Sequence, residues 1–452
     1  YEGLCEITTE GLGDIPLGGE IANGYIAIPG GTSYKQRAPA LAVYSLNGRS
    51  CDVNTGFYQP GYKVCIDATR NYVWMAADSR IKAFTLMSAN NNDEDSSDSD
   101  DETRFKSECK YTLQTYADDF TVGKFHGQDQ VVAIGRNDAK NLELSIWNIA
   151  QLPVHVDRNV EDIDSDSENE EVSGRLENSM RDLDDEMDTI EVSKGVTCSQ
   201  KVEIKFAGVP VPSDEDLRIT TVGNNFVAVS VADKILLVDV ATGKAHDMLL
   251  GHTARIIDMT YNPEINYLVS TSGDCSVKVW NLTTCLCEAT FVSDKVAQSA
   301  CVAKIGDIIF CFSGGADECV MVWDVTNKKL LYELSTGNNS VTAVGWDAPS
   351  NTLIAVTEDT NLNRVLGHID EDFKRVRSKN SGNNNNNADS DEDEDEDEGF
   401  DSDDSEGVMW PKQAVHDSKA FQHVWNFGEH GFIKYQFKSN PSHDNLPANL
   451  DL

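Results

Sequence analysis

The feature of this 452-residue chain that most constrains its fold is a repeat of about 42 residues. Seven short apolar segments can be aligned by one residue in each, namely Tyr44, Phe84, Trp147, Val238, Trp280, Trp323 and Val365. Four of the six intervals are 40–43 residues long, and the two longer ones, of 63 and 91 residues, contain acidic runs. A unit of this size cannot bury its own apolar faces, so the seven units must stack on one another.

The clearest unit lies between Gly251 and Trp280. It opens with a Gly-His pair, continues as an apolar strand to a turn at Asn262-Pro263, and then alternates up to a tight turn at Gly273-Asp274. A further short strand ends at the Trp. This stretch resembles the WD40 family, whose repeat of roughly 40–45 residues has Gly-His near its start and Trp-Asp at its end.

The resemblance implies a polar network inside the fifth unit. In the family, a His, a Ser or Thr, the turn Asp and the Trp hydrogen-bond to one another. The matching positions here are His252, Ser270 or Ser272, Asp274 and Trp280, followed by Asn281 in place of the family's Asp. The sixth unit matches in part, because it has Asp317 and Trp323 but no His.

Seven such units remove their open edges by closing into a ring. We therefore predict an all-β, seven-bladed WD40-like β-propeller that occupies residues 1–440 as a single domain, with 441–452 as a tail. The fifth and sixth units fit the repeat best. The first and seventh fit it least, so ring closure is expected to depend on the chain termini.

The net charge of −39 is concentrated in three acidic segments, 93–102, 157–191 and 389–406. They hold 35 of the 76 acidic residues and 3 of the 37 basic ones, so their net charge is −32 and that of the rest is −7. Such segments repel themselves and contain few apolar residues. We predict disordered insertions at 88–107, 157–194 and 371–407.

Each insertion follows a segment aligned as the third strand of a unit, namely RIKAFTL, LELSIWNI and NRVLGHI. A segment that could form a fourth strand comes after each one. In a propeller, the connections between third and fourth strands all emerge on the same face. The sequence therefore predicts that all three insertions share one face, in the sector of blades 7, 1, 2 and 3.

Several functional classes are disfavoured. The eleven cysteines include no CxxC pair and are expected to be free thiols of a reducing compartment. His252, Asp274 and a Ser look like a catalytic triad, but the resemblance gives them a structural role. The chain has no phosphate-loop motif. We expect no enzyme, no catalytic, cofactor or metal site, and no cofactor.

The chain has no apolar run of the ~20 residues needed to span a bilayer, and its first residues lack the features of a signal peptide. We expect no membrane partner and an intracellular location, nuclear or cytoplasmic. Tyr1 in place of Met indicates a processed or truncated start.

The surviving hypothesis is a protein-interaction scaffold. The negative charge disfavours direct binding of nucleic acid and favours a partner with a basic surface, such as histones or ribosomal proteins. The protein would then be an assembly factor or chaperone-like binder. The acidic segments could equally serve only solubility.

Two other functions stay open: a substrate receptor of a ubiquitin ligase, and a structural subunit of a larger complex. Receptors of the first kind commonly carry Trp-Asp-x-Arg, which this chain replaces with Trp280-Asn281-Leu282-Thr283 and Trp323-Asp324-Val325-Thr326.

Five serines have an acidic residue three positions later, which resembles the preference of kinases of the casein kinase 2 type. The phosphorylation candidates are Ser97, Ser99, Ser165, Ser167 and Ser390.

Overall fold

The strands of this computed structural model form seven separate antiparallel sheets, which confirms the predicted seven-bladed β-propeller. Six sheets have four strands and the first blade has five, because its inner strand is split in two. The structure describes residues 5–12, 15–31, 40–57, 61–77, 79–86, 107–155, 195–206, 217–359, 411, 414 and 430–437.

The strands follow one another in blade order, except that the first belongs to blade 7. The strand β1 is Cys5–Leu12. Blade 1 contains β2 (Ile15–Pro16), β3 (Glu20–Ala22), β4 (Tyr25–Gly31), β5 (Ala40–Ser45) and β6 (Ser50–Asn54). Blade 2 contains β7 (Lys63–Asp67), β8 (Tyr72–Ala77), β9 (Arg80–Thr85) and β10 (Cys109–Gln114).

Blade 3 contains β11 (Asp119–Phe125), β12 (Gln128–Arg136), β13 (Leu142–Asn148) and β14 (Gln200–Glu203), with a 3-10 helix at Ile149–Gln151. Blade 4 contains β15 (Ile219–Val222), β16 (Phe226–Val231), β17 (Lys234–Asp239) and β18 (Ala245–Leu249). Blade 5 contains β19 (Ile256–Asn262), β20 (Tyr267–Ser272), β21 (Ser276–Asn281) and β22 (Leu286–Val292).

Blade 6 contains β23 (Ala297–Ile305), β24 (Ile308–Gly315), β25 (Cys319–Asp324) and β26 (Lys329–Ser335). Blade 7 contains β27 (Ser340–Asp347), β28 (Thr352–Glu358) and β29 (His430–Phe437), and β1 is its outer strand.

The apolar core lies between neighbouring blades. The second strand of a blade is buried on both sides, so β16 and β20 are buried at every residue but the first. Outer strands face solvent on one side, and β22 accordingly alternates between buried and exposed residues in its second half. Central strands therefore have continuous runs of apolar residues, whereas outer strands alternate between apolar and polar residues.

The ring is closed by the two ends of the described chain. The N-terminal strand β1 pairs with β29 in an unbroken antiparallel register from Cys5–Phe437 to Leu12–His430. In turn, β29 pairs with β28. Blade 7 thus takes its outer strand from the start of the chain, as the expected dependence on the termini requires.

The sequence assignment of blade 7 was wrong in one respect. It took the segment around Val365 as the third strand and the segment that forms β29 as a fourth. Val365 lies outside the described residues, and β29 is itself the third strand. The acidic segment 389–406 therefore follows the second strand of its blade.

This correction changes the predicted position of the acidic insertions. Because strands alternate in direction, connections between second and third strands and between blades lie on one face, here named the upper face. The other connections lie on the lower face. The third strands that precede the first two insertions end on the lower face, at Thr85 and Asn148. The strand that precedes the last insertion ends on the upper face, at Glu358, so the prediction of one shared face is wrong.

Candidate functional site

Four of the predicted network residues meet in blade 5. The indole Nε1 of Trp280 donates to Ser270 Oγ at 2.8 Å, and Ser270 Oγ lies 2.8 Å from His252 Nε2. His252 Nδ1 lies 3.0 Å from Asp274 Oδ2. Every donor finds an acceptor when His252 carries its proton on Nδ1 and Ser270 donates to Nε2.

Two further residues, Ser276 and Thr253, complete this network. The Ser276 hydroxyl donates to Asp274 Oδ1 at 2.6 Å and lies 3.1 Å from His252 Nδ1. The Thr253 backbone N–H donates to Asp274 Oδ2 at 2.8 Å. Sequence reasoning missed both, although a Ser two residues after a turn Asp is a frequent hydrogen-bond partner of that Asp.

The network fixes the protonation states of its acid and base. Burial alone would raise the pKa of Asp274, but hydrogen bonds from Ser276, the Thr253 amide and His252 hold that pKa below its usual range. Burial lowers the pKa of His252, and this outweighs the opposing effect of Asp274. The pair is therefore a carboxylate and a neutral imidazole at pH 7.

The same order of Ser, His and Asp occurs in hydrolases, but here the Ser has no access to a substrate. Ser270 is 1% exposed and His252 is 4% exposed. The Ser270 oxygen also accepts the indole hydrogen bond, which occupies the atom that a nucleophile would need free. The geometry holds β20, β21 and the segment before β19 together.

The remaining network candidates have other partners. The Ser272 hydroxyl donates to the Ala254 carbonyl at 2.9 Å and accepts from the Asp274 backbone N–H at 3.2 Å. It therefore stabilises the same turn without a bond to the side chains of His252 or Trp280. In blade 6, Trp323 Nε1 donates to Ser313 Oγ at 2.9 Å, whereas Asp317 accepts from the Gly315 backbone N–H at 3.0 Å.

The inner strands surround a central channel with a volume of about 790 Å³. Carboxylates in this channel join neighbouring blades through backbone amides. Glu20 of blade 1 accepts from the Ile66 N–H of blade 2 at 2.9 Å. Asp119 of blade 3 accepts from the Ile219 N–H of blade 4, also at 2.9 Å. Burial raises the pKa of both acids.

Two cations, Lys63 and Arg218, lie close enough to Asp119 to oppose the effect of burial on its pKa. Asp119 raises the pKa of Lys63, although burial alone would lower it. Arg218 donates from Nε to the Ile257 carbonyl at 3.0 Å, which links blade 4 to blade 5. These channel groups thus bind backbone groups of neighbouring blades, and their structural effect is to join the blades.

The ends of the first two acidic insertions meet at the outer strand of blade 2. The first ends beside Ser107, whose hydroxyl donates to the Thr85 carbonyl at 2.7 Å. The second begins after His155, whose N–H donates to the Lys110 carbonyl of β10 at 2.8 Å. It ends before Val196, whose N–H also donates to a carbonyl of β10 at 2.9 Å. We name this region, β10 with its attached segments 107–108, 153–155 and 195–197, the blade 2 rim.

The phosphorylation candidates Ser97, Ser99, Ser165, Ser167 and Ser390 all lie outside the described residues. Ten of the eleven cysteines, from Cys51 to Cys319, have described side chains, and these ten are free thiols. Burial raises the pKa of Cys65, Cys301 and Cys311, so these three are unreactive as thiolates. No helix within the described ranges is long and apolar enough to span a membrane.

Comparison with known proteins finds the clearest family match in the segment that contains the polar network of blade 5. Residues 243–281 match the family model described as WD domain, G-beta repeat. A 152-residue part of the chain is 24% identical to autophagy-related protein 16 of Arabidopsis thaliana, and covers 33% of this chain and 29% of that protein. A 97-residue part is 38% identical to small ribosomal subunit protein RACK1y of Oryza sativa subsp. japonica, and covers 21% and 29%.

The chain thus spans less than a third of the length of these two relatives. The crystal structure of the WD40 beta propeller domain of Doa1 covers 78% of this chain and 93% of that chain at 12% identity, with a TM-score of 0.47.

The seven antiparallel blades place the protein in the class of β-propellers built from sequence repeats. It is a seven-bladed β-propeller. Blade 5 is similar to the WD domain, G-beta repeat, whose family model matches residues 243–281. β-Propellers built from WD40 repeats are generally non-catalytic interaction scaffolds, and they typically bind other proteins.

Proposed function

We propose that this protein is an intracellular, non-enzymatic scaffold that recruits a partner with a basic surface through the acidic insertions held at the blade 2 rim. The proposal rests chiefly on the convergence of two insertions on the single strand β10. Their acidic segments, 93–102 and 157–191, carry 22 acidic and 3 basic residues. Partners of this chemistry include histones and ribosomal proteins, for which the protein would act as an assembly factor or chaperone.

The charge distribution supports binding rather than general solubility. The segments 93–102 and 157–191 carry a net charge of −19, and the residues that flank them are attached to one strand of a body that is nearly neutral. Large fields of one sign are the kind of charge that steers a partner. A concentrated field steers a basic protein towards the surface and accelerates its association. The remaining acidic segment follows a strand that ends on the opposite face, so it is not required for this site.

The test is the salt dependence of binding to a purified core histone dimer. We expect affinity to fall steeply as ionic strength rises, because exposed charges are screened beyond ~8 Å at physiological salt. A variant with the acidic residues of 93–102 and 157–191 changed to Asn and Gln should lose this binding while keeping its melting temperature. If the variant binds equally well and only becomes less soluble, the segments serve solubility alone.

A second candidate function is a structural subunit of a larger assembly. The relative from Oryza sativa is itself described as a protein of the small ribosomal subunit. Purification of the native protein from cells distinguishes the two candidates. A fixed set of stoichiometric subunits that survives high salt supports the subunit role, whereas salt-sensitive basic proteins support the recruiting role.

A further inference from the structure

The outer strands of blades 2, 4 and 6 are each covered by a further segment of the same chain. In blade 2, the Val196 N–H donates to the Thr112 carbonyl at 2.9 Å, and the Gln114 N–H donates to the Val196 carbonyl at 3.0 Å. These bonds use the free backbone groups that an edge strand presents. The three parallel bridges are Leu113 with Val196, Lys205 with Lys244, and Glu333 with Ala414.

The outer strand of blade 5, β22, has no such covering segment among the residues that the structure describes. Leu286 and Val292, at its two ends, are 66% and 68% exposed. Within the described ranges, they are the only large exposed apolar side chains that belong to a strand. Edge strands are commonly protected by Lys or Pro, and β22 contains neither.

Blades 2 and 5 can be compared residue by residue, because their outer strands have the same register and a bulge at the same place. In blade 2 the Gln114 N–H holds the covering segment, and Val292 is the corresponding residue of blade 5. The Val292 N–H therefore points outwards from the sheet. The matching pairs are Phe84–Cys109 with Trp280–Cys287, Ala83–Tyr111 with Val279–Ala289, and Arg80–Gln114 with Ser276–Val292.

We propose that β22 is a docking edge for an extended segment of a partner protein, which adds to blade 5 as a parallel strand. The covering segments inside this chain indicate what such an occupant looks like. Each of the two that are described in detail is joined to its edge by a parallel bridge and has an apolar side chain at or next to that bridge. These side chains are Val196, which is half-buried against the core of blades 2 and 3, and Ile204, which is buried between blades 3 and 4. An apolar side chain of the partner would lie against Leu286 or Val292.

This edge is independent of the acidic insertions. The charged residue of β22 is Glu288, and the strand belongs to blade 5 rather than to the blade 2 rim. Recognition here would depend on backbone hydrogen bonds and apolar contact, so it should be insensitive to salt. The proposal therefore survives if the acidic insertions prove to serve solubility only.

The probe is a displayed library of short random peptides, selected on the full chain at high salt. Enriched peptides are synthesised and their affinities are measured for the wild type, Val292→Pro and Val292→Ile. Proline removes the outward N–H without removing a bond inside the sheet, as is tolerated on edge strands. We expect about tenfold weaker binding to Val292→Pro, and a change of no more than about twofold for Val292→Ile.

Two further measurements keep the test decisive if Val292→Pro unfolds. Leu286→Lys places a charge on the edge and should weaken the same peptides by about tenfold. The Val292 amide should exchange faster than the Gln114 amide in the free protein, and should slow when peptide binds.

Any of four results would overturn the proposal. They are the absence of enriched peptides, equal binding to the wild type and Val292→Pro, a Val292 amide that is protected in the free monomer, and dimerisation that Leu286→Lys abolishes. The third result would mean that another segment of this chain covers the edge, and the fourth that a second copy does.

Discussion

His252 lies at the centre of the polar network of blade 5. It joins Ser270 on one side to Asp274 on the other, and Trp280 closes the chain of hydrogen bonds. Because His252, Ser270 and Trp280 are buried, removing one group leaves its partners without hydrogen bonds in a medium of low dielectric constant. The cost therefore depends on which partner is left unsatisfied.

We predict that Asp274→Ala lowers the free energy of unfolding by roughly 1–3 kcal/mol, because His252, Ser276 and the Thr253 amide lose their acceptor. Chemical denaturation measures this change. Any loss of partner binding should follow the loss of stability. An Asp274→Ala protein that keeps its melting temperature but loses binding would show that the network is itself a binding site.

Asp317 in blade 6 should make stability depend on pH. Burial raises its pKa to about 6, well above the ~3.9 of an unfolded chain. The stabilisation from its protonated form is complete below ~4 and is lost as pH rises through about 6. We expect Asp317→Asn to raise the free energy of unfolding at pH 7 by about 1–2 kcal/mol, after allowance for partial exposure.

Melting temperatures between pH 4 and pH 7 check this prediction. Asp307→Asn in the same blade is the control, because Asp307 is exposed. A wild type and an Asp317→Asn variant with parallel pH profiles would contradict the assignment.

The strand β1 completes blade 7, and the closure of the ring depends on it. Eight residues of β1 pair with β29, and β29 is separated from β28 by a long insertion. The third strand of this blade is therefore held on one side by the start of the chain. Without β1, the edge of β29 would be open.

We predict that deleting residues 1–12 lowers the melting temperature by at least about 5 °C and accelerates amide exchange in blade 7 before blade 5. Exchange followed by mass spectrometry resolves the two blades. A deletion that leaves exchange in β27, β28 and β29 unchanged would mean that β1 is dispensable for closure.

Local patterns predicted the blades that are continuous in sequence. The third strands that contain Trp280 and Trp323 were predictable, because the alternating apolar residues and the turn residues around them are short-range signals. The third strand of blade 7 was predicted wrongly, because Val365 lies one repeat length after Trp323 whereas the actual third strand begins at His430. Its outer strand precedes all other strands, and no local pattern can reveal a partner more than 400 residues away.

Part of the blade 5 network was predictable from the sequence, but its full membership was not. The resemblance supplied His252, Asp274 and Trp280, whereas the roles of Ser276 and Thr253 depend on the path of the turn. The blade 2 rim was not predictable either. Its parallel bridge joins Leu113 to Val196, which lie on either side of the insertion at 157–194 and are therefore far apart in the sequence.

For the whole molecule, phosphorylation should strengthen the attraction of a basic partner. Each phosphate adds about −1.5 to −2 charges to a segment that is already acidic. Intact-mass measurement of the native protein should detect phosphate, and phosphatase treatment should weaken binding at low salt. Native protein without phosphate in these segments would contradict the prediction, whose sites are Ser97, Ser99, Ser165, Ser167 and Ser390.

The most direct test of the proposed function compares two variants with equal changes of charge. One changes all 13 acidic residues of 389–406 to Asn and Gln, and the other changes the same number within 93–102 and 157–191. Affinity for a core histone dimer is measured for both at low and physiological salt. We expect the second variant to lose more than about tenfold in affinity at low salt and the first to lose less than about threefold. Equal losses, or a larger loss for 389–406, would contradict a recruiting site at the blade 2 rim.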